Sequence, residues 1–392
     1  MKVALLFSAI SVLSWRSVAL PSETPPSAEQ DPSDVLAKLQ VMGMEGLEGA
    51  ERAMKRSNSG SCSLGTAQVR QDWENMSAPT RKSYVKAVQC LFNSKSKLIQ
   101  YGWPTKSRYD DFVAVHVNMT TTVHNTGNFL SWHRYFLHAY ETALRNECGY
   151  TGYMPYWNWF THRDDVTKSP VFDGSATSLG SDGEFFYHNG SLAGVLQIPI
   201  PSGNGGGCIA QGPFAGQKVN IGPMLSVFEG FPTVKDLFVP NPHCIRRDLN
   251  SYVATRFFTA GALLNVTLGA ASRSIRLFQR EVQGGEYPGH LGLHATGHFV
   301  LGGDGTDLFS SPNDPAFFLH HAMLDRLWWI WQALHPALAH TIEGTVTMNN
   351  NPPSVNATVR DELDVKGLLA SKVLLQDVLD TMGGEPLCYV YN

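Results

Sequence analysis

"HNTGNFLSWHRYFLHAYE", residues 124 to 141, holds three histidines and decides how the chain is read. His133 is either a core histidine on an amphipathic helix or one leg of a metal site. On one continuous helix His124 and His133, nine residues apart, would lie on opposite faces. The piece "HNTGN" contains a glycine and two asparagines, so His124 is expected before the helix and His133 within it. A loop ligand and a helix ligand can then converge. His138, five beyond His133, points about 140° away and is read as structural.

The histidines are unevenly spread. His116, His124, His133 and His138 form one cluster, and His290, His294, His298, His320 and His321 a second. His294 and His298 differ by about 40° around a helix and project toward a shared point, which suits two ligands of one metal. His290 has the same spacing to His294, so spacing alone leaves three candidates for two places. The neighbours His320 and His321 diverge by about 100°, so only one of them reaches a metal that the other does not. Two sets of three imidazoles suit copper or zinc, with copper the tightest binder of the divalent series. Asp325, one turn beyond His321, is placed to hold a ring nitrogen or an arginine such as Arg326.

The other helices follow from period and end signals. "SAPTRKSYVKAVQCLFNS" offers Ser77 as a cap with Pro79 in the first turn. "SRYDDFVAVHVNM" places Phe112, Val115, His116 and Met119 along one face. "SPNDPAFFLHHAMLDRLWWIWQALHP" opens with Asn313 or Asp314 as cap and Pro315 near the first helical position. Strand-like alternation is sparse and short. The expected fold is mainly α, a central four-helix bundle with long loops and little β structure.

With 392 residues, 43% apolar and 16% charged, the chain can bury a large core. Lys plus Arg number 30 against 34 acidic residues, with no long basic run, so nucleic acid is not an expected partner. The start has one lysine, an apolar run and then Ser17-Val18-Ala19. Residues 1–19 are read as a signal peptide, and no later stretch is apolar enough for a membrane span. Residues 20–56 are read as a linker or propeptide: Pro, Ser and acid first, then a helical stretch ending in the dibasic pair Lys55-Arg56. Residues 57–392 are expected to form one folded domain, which the resemblance described below implies is catalytic.

Export places the six cysteines in an oxidising compartment and favours disulfides, and the 15 pairings that six cysteines allow are left open. Asn75, Asn118, Asn189, Asn265 and Asn356 stand in glycosylation sequons. The glycine cluster at residues 200–217 lacks the strand and helix of a phosphate loop. It is read as a surface loop tied down by Cys208, with Cys244 a candidate partner.

At this point the motifs match a known pattern. Residues 124–141 resemble the copper A motif of the tyrosinase family. "LHATGHFVLGG" together with "SPNDPAFFLHHAMLDRLWWIWQ" resembles its copper B motif, and "MPYWNW" and the C-terminal "CYVY" also match. The resemblance covers roughly residues 60 to 392 and is strongest to short secreted fungal tyrosinases and catechol oxidases. It implies two copper ions, held by His116, His124 and His133 on copper A and by His294, His298 and His321 on copper B. His290 then falls outside the ligand set, and His320 becomes a hydrogen-bonded neighbour. It also implies a small phenolic substrate and O2, with o-diphenols oxidised to o-quinones and O2 reduced to water.

Hydroxylation of monophenols is attributed in the family to a water held by a glutamate and by an asparagine directly after the first copper B histidine. Here that position is Ala295, and Glu286 is the candidate glutamate. Diphenol oxidation is therefore the expected activity, with monophenol hydroxylation the alternative. Phe299 either narrows the cleft or belongs to the core. Position 122 is Thr, so the cysteine that forms a thioether to the second copper A histidine in many fungal members is absent. No C-terminal shielding domain is expected after Tyr391. Among rivals, a haemocyanin-like oxygen carrier would carry a β-domain, and a zinc hydrolase would need the glutamate of HExxH where "HATGH" has Ala and Thr.

Overall fold

The computed structural model describes residues 25–54, 62–193, 197–225, 233–236, 238–284, 289–369 and 372–392. The signal peptide read at 1–19, the dibasic pair Lys55-Arg56 and the candidate Glu286 lie outside the described residues.

The chain is mainly helical. Its helices are α1 (Pro32–Met54), α2 (Ala78–Asn93), α3 (Arg108–Val123), α4 (Phe129–Cys148), α5 (Ser251–Phe257), α6 (Ala260–Thr267), α7 (Ile275–Gln283), α8 (Leu293–Leu301) and α9 (Ala316–Leu334). The starts follow the expected chemistry. The Ser77 hydroxyl accepts the Thr80 N–H at the start of α2, and Ser107 and Asp110 close a capping box on α3. At α9 the Asp314 carboxylate accepts the Ala316 N–H, 2.9 Å away.

Four helices, α3, α4, α8 and α9, carry the clustered histidines. α4 packs against both α3 and α9, and α8 against α9, so the two halves of the sequence meet along α4 and α9. The break between α3 and α4 is fixed by backbone. Gly127 donates its N–H to Thr345 O at 2.9 Å, and a Cβ there would stand 2.7 Å from Gly344 O. Only glycine fits there, and the chain leaves α3 through the extended His124 and the left-handed Asn125 (φ 48°).

Of the two expectations for Asp325, a ring nitrogen or an arginine such as Arg326, the structure bears out the arginine, but the partners are Arg134 and Arg70 and not Arg326. Its carboxylate accepts Arg134 Nε (2.6 Å) and the hydroxyls of Tyr389 and Tyr391 (2.6 Å each), and it pairs with Arg70 (3.3 Å). Arg326 instead lies over the Tyr156 ring. The C-terminal strand Tyr389–Tyr391 pairs in parallel with Gln68–Arg70. Asp325 thus joins α9, α4 and both chain ends of the domain. Burial opposes its ionisation, but the guanidiniums of Arg134 and Arg70 overcome this and hold its carboxyl below the usual range.

Within the stretch read as linker or propeptide, residues 32–54 form α1, which packs on α9 and α6. Val35, Leu36 and Leu39 are buried in the main core, and Gln40 donates to Tyr391 O at 2.6 Å. Gly46 permits close approach, since a Cβ would meet Ala333 O at 2.9 Å. Three disulfides, Cys62–Cys388, Cys90–Cys148 and Cys208–Cys244, use all six cysteines. The last ties down the glycine-rich loop. Among the described residues no single helix is long and apolar enough to cross a membrane.

Candidate metal centre

Seven histidines converge from the four helices. His116 lies on α3, His124 follows its last turn, and His133 lies on α4; their ring nitrogens come within 4.8 Å of one another. His294 and His298 from α8 and His320 and His321 from α9 form a second group under the same limit. The groups touch. The rings of His133 and His321 stack at 4.5 Å and 12°, with Phe317 packed between His116 (5.2 Å) and His321 (4.2 Å).

The proton positions are fixed from behind. His116 Nδ1 lies 2.6 Å from Phe309 O, His124 Nδ1 3.0 Å from Thr120 O, His133 Nδ1 2.8 Å from Phe129 O, and His298 Nδ1 2.8 Å from Gly305 O. A carbonyl can only accept, so each of these rings carries its proton on Nδ1 and turns a lone pair outward from Nε2. For His116 and His133 that Nε2 is buried without a hydrogen-bond partner, and His294 Nε2 faces His298 Nε2 at 3.0 Å. With the His298 proton on Nδ1, His294 Nε2 is the donor of that contact.

Burial sets the charge state. Desolvation, assisted by neighbouring imidazoles, pushes His116, His133, His294, His320 and His321 well below the ordinary histidine range and His298 down to about 4, and desolvation alone brings His124 to about 4. At neutral pH these rings are uncharged, the form that ligates metal. Neutral imidazoles, backbone-fixed tautomers and orphaned Nε2 atoms fit two cations with nitrogen ligands.

His320 departs from expectation. It was expected to be hydrogen-bonded, but neither of its buried ring nitrogens has a partner. The ring fills the space that glycine leaves at position 297, where a Cβ would stand 2.2 Å from it, and lies 5.0 Å from the Trp159 ring. His290 stays outside both groups and pairs with Glu281 at 3.0 Å. His138 also stays outside, stacked on Tyr135.

A cleft of about 440 Å³ opens onto His124, His294 and His298. Its wall includes Ala295 and Phe299, one turn apart on α8 and both half-buried, with Leu192, Ile198, Leu225 and Leu291. Phe299 therefore does line the cleft. Sequence reasoning missed the carbonyl partners. Two were in reach, since Thr120 and Phe129 stand four residues before the histidines they hold; Gly305 and Phe309 come from a loop whose path only the fold reveals.

Two facing histidine groups inside one helical bundle, opening on one apolar cleft, define a binuclear metalloprotein. Comparison with known proteins narrows this. Residues 106–334 match the common central domain of tyrosinase, more than half of the chain. Over 336 residues the chain is 38% identical to tyrosinase P of Aspergillus terreus, covering 83% of this chain and 92% of that protein. It is 36% identical over 350 residues to N-acetyl-6-hydroxytryptophan oxidase of Emericella nidulans, covering 84% and 94%. The fold superposes on a variant of a polyphenol oxidase from Thermothelomyces thermophila with a TM-score of 0.83 at 34% identity, covering 93% and 99%. The chain belongs to the tyrosinase family and is an oxidase of that family, which implies a dicopper site, a phenolic substrate and O2.

Proposed function

We propose that the protein oxidises o-diphenols to o-quinones, with two diphenols consumed for each O2 reduced to water, and that it does not hydroxylate monophenols efficiently. The observation that carries this is Ala295. It lines the cleft directly after His294, and its methyl group can neither orient a water nor accept the proton of a phenol. A diphenol needs no such group, because the two protons and two electrons it loses are taken up as O2 is reduced to water.

We infer that copper A is held by His116, His124 and His133 and copper B by His294, His298 and His321. His321 is preferred to His320 because it stacks on His133 of the other group at 4.5 Å, whereas His320 lies against Trp159. Bound there, the copper pair supplies the two-electron redox chemistry that couples phenol oxidation to O2. The protein's share is to hold six neutral imidazoles rigidly and to present an apolar slot in which an aromatic ring packs beside Phe299. Glu286, eight residues before His294 in the sequence, is the candidate for positioning a water.

A second reading is a hydroxyindole substrate, favoured by the relative named for oxidation of N-acetyl-6-hydroxytryptophan and by the size of the cleft. Export is proposed as well, with cleavage of residues 1–19. It is supported by the pairing of all six cysteines, which suits an oxidising compartment. The test is O2 uptake and absorbance with 4-methylcatechol, tyrosine and a hydroxyindole in parallel. Prompt catechol turnover with tyrosine unreactive supports the proposal, and efficient tyrosine hydroxylation overturns it.

A further inference from the structure

The four Nδ1–carbonyl contacts are of two kinds. His124 and His133 each bond to a carbonyl one turn earlier in their own part of the chain. His116 and His298 instead depend on the loop between α8 and α9, through Phe309 O and Gly305 O. For His298 that loop is the continuation of its own helix. For His116 the partner is 193 residues away, and something must hold Phe309 in place.

The group that does so is Asp307, which is fully buried. Its Oδ1 accepts the N–H of Phe309 (3.0 Å), the N–H of Ser310 (2.7 Å) and the Ser310 hydroxyl (2.9 Å). Its Oδ2 accepts the N–H groups of Met224 (2.9 Å) and Leu225 (2.7 Å). Five donors meet one carboxylate, which fixes the peptide planes on both sides of Phe309. Leu225 and Asp307 also line the cleft, so the same carboxylate ties the cleft wall to the support of His116.

We propose that Asp307 is a positioning residue for copper A, acting on His116 through the backbone of Phe309. This rests on the ligand set proposed above. In Asp307→Asn the amide keeps the size but turns one acceptor oxygen into a donor that faces backbone N–H groups. Phe309 O loses its fixed direction, the His116 ring loses its orientation, and copper A binds about 10- to 100-fold more weakly, the usual cost of removing an outer support of a metal ligand. Copper B keeps its affinity, because its histidines do not use Phe309.

The test is a titration of the metal-free full chain with Cu(II), followed by equilibrium dialysis and electron paramagnetic resonance. Two adjacent Cu(II) ions couple and lose their signal, whereas a lone ion gives a mononuclear spectrum. Wild type is expected to bind two coppers and be nearly silent. Asp307→Asn is expected to bind one copper tightly with a mononuclear signal and the second 10- to 100-fold more weakly. Asp248→Asn is the control: Asp248 is also buried and holds the N–H groups of Gly203 and Gly205, but neither glycine supports a histidine of the site. It is expected to lower thermal stability and leave both coppers bound. Ser310→Ala, which removes only the hydroxyl donor, shifts the same copper by a smaller factor and decides the matter if Asp307→Asn does not fold. Unchanged binding of both coppers in Asp307→Asn and Ser310→Ala, or equal weakening in Asp248→Asn, overturns the proposal. If wild type itself fails to bind two coppers, the ligand set falls first and this inference falls with it.

Discussion

Replacing Asp325 by Asn tests the buried network that joins the site to the chain ends. Arg134 Nε donates to Asp325 Oδ1 at 2.6 Å, and the other partners of Arg134 are neutral: the carbonyls of Val378 and Leu379 and the side chain of Gln332. Arg70 keeps a second anion, Glu141, at 2.6 Å. The substitution therefore leaves Arg134 as a buried cation without a counter-charge and presents an amide N–H₂ to groups that also donate. Removing one partner of a buried pair costs about 3–5 kcal/mol. Arg70 is buffered by Glu141, so the middle of that range, about 4 kcal/mol, is expected. At about 2 °C per kcal/mol, the low end for domains smaller than this one, Tm falls by roughly 8 °C.

The assay is calorimetry of metal-free protein, so that fold is read and not metal loss. The pH dependence follows from the lowered carboxyl of Asp325. A group whose folded pKa is depressed contributes stability that is present above its unfolded value, about 3.9, and lost as pH falls through the folded value. The gap between wild type and variant should be constant from about pH 5 to 8 and shrink only below about pH 4. A Tm change under about 2 °C at pH 7, or a gap that closes already at pH 6, refutes the reasoning.

Further outcomes follow from other parts of the structure. The site histidines have folded pKa values below the unfolded value, so the unfolded chain takes up protons first; metal-free protein should lose stability as pH falls below about 6.5, by up to about 1.4 kcal/mol per pH unit for each imidazole that charges only on unfolding. Urea titrations at pH 7.5 and 5.5 check this, and equal midpoints contradict it. Deleting residues 20–56 removes Val35, Leu36 and Leu39 from the core and should destabilise the protein by about 1.5–3 kcal/mol for each buried side chain, read as a loss of soluble yield or a lower Tm; an equally stable truncated chain would show that α1 is dispensable. In protein from a eukaryotic secretion host, peptide mass spectrometry should find Asn189 and Asn356, both exposed, glycosylated. It should find Asn265 bare, because its amide donates to Glu281 at 2.9 Å and accepts the Ala271 N–H.

Much of this was legible in the sequence, for physical reasons. Helix period and end signals gave α2, α3 and α9, because Ser77, Ser107 and Asp314 satisfy backbone donors that any helix start leaves open. The glycine in "HNTGN" marked the break that lets His124 and His133 face one point. Other features were not legible because they depend on contacts between distant segments. Asp325 reaches Arg70 and Arg134, 255 and 191 residues away, and not its neighbour Arg326. The support of His116 by Phe309 is of the same kind. The helix of α1 was legible in the stretch after the proline-rich residues, but its docking was not, because its aliphatic face finds α9, nearly 300 residues away in the chain. The family resemblance implies a hydrogen-bonded His320, and the ring is instead enclosed by Gly297, His294 and Trp159.

The most direct measurement is diffraction from crystals of copper-loaded protein, with anomalous maps at the copper absorption edge. The account predicts two peaks per chain, one bounded by His116, His124 and His133 and the other by His294, His298 and His321, each about 2.0–2.1 Å from its ring nitrogens, by analogy with other first-row metal–imidazole bonds. A single peak, or a second metal bound by His320 in place of His321, would contradict it.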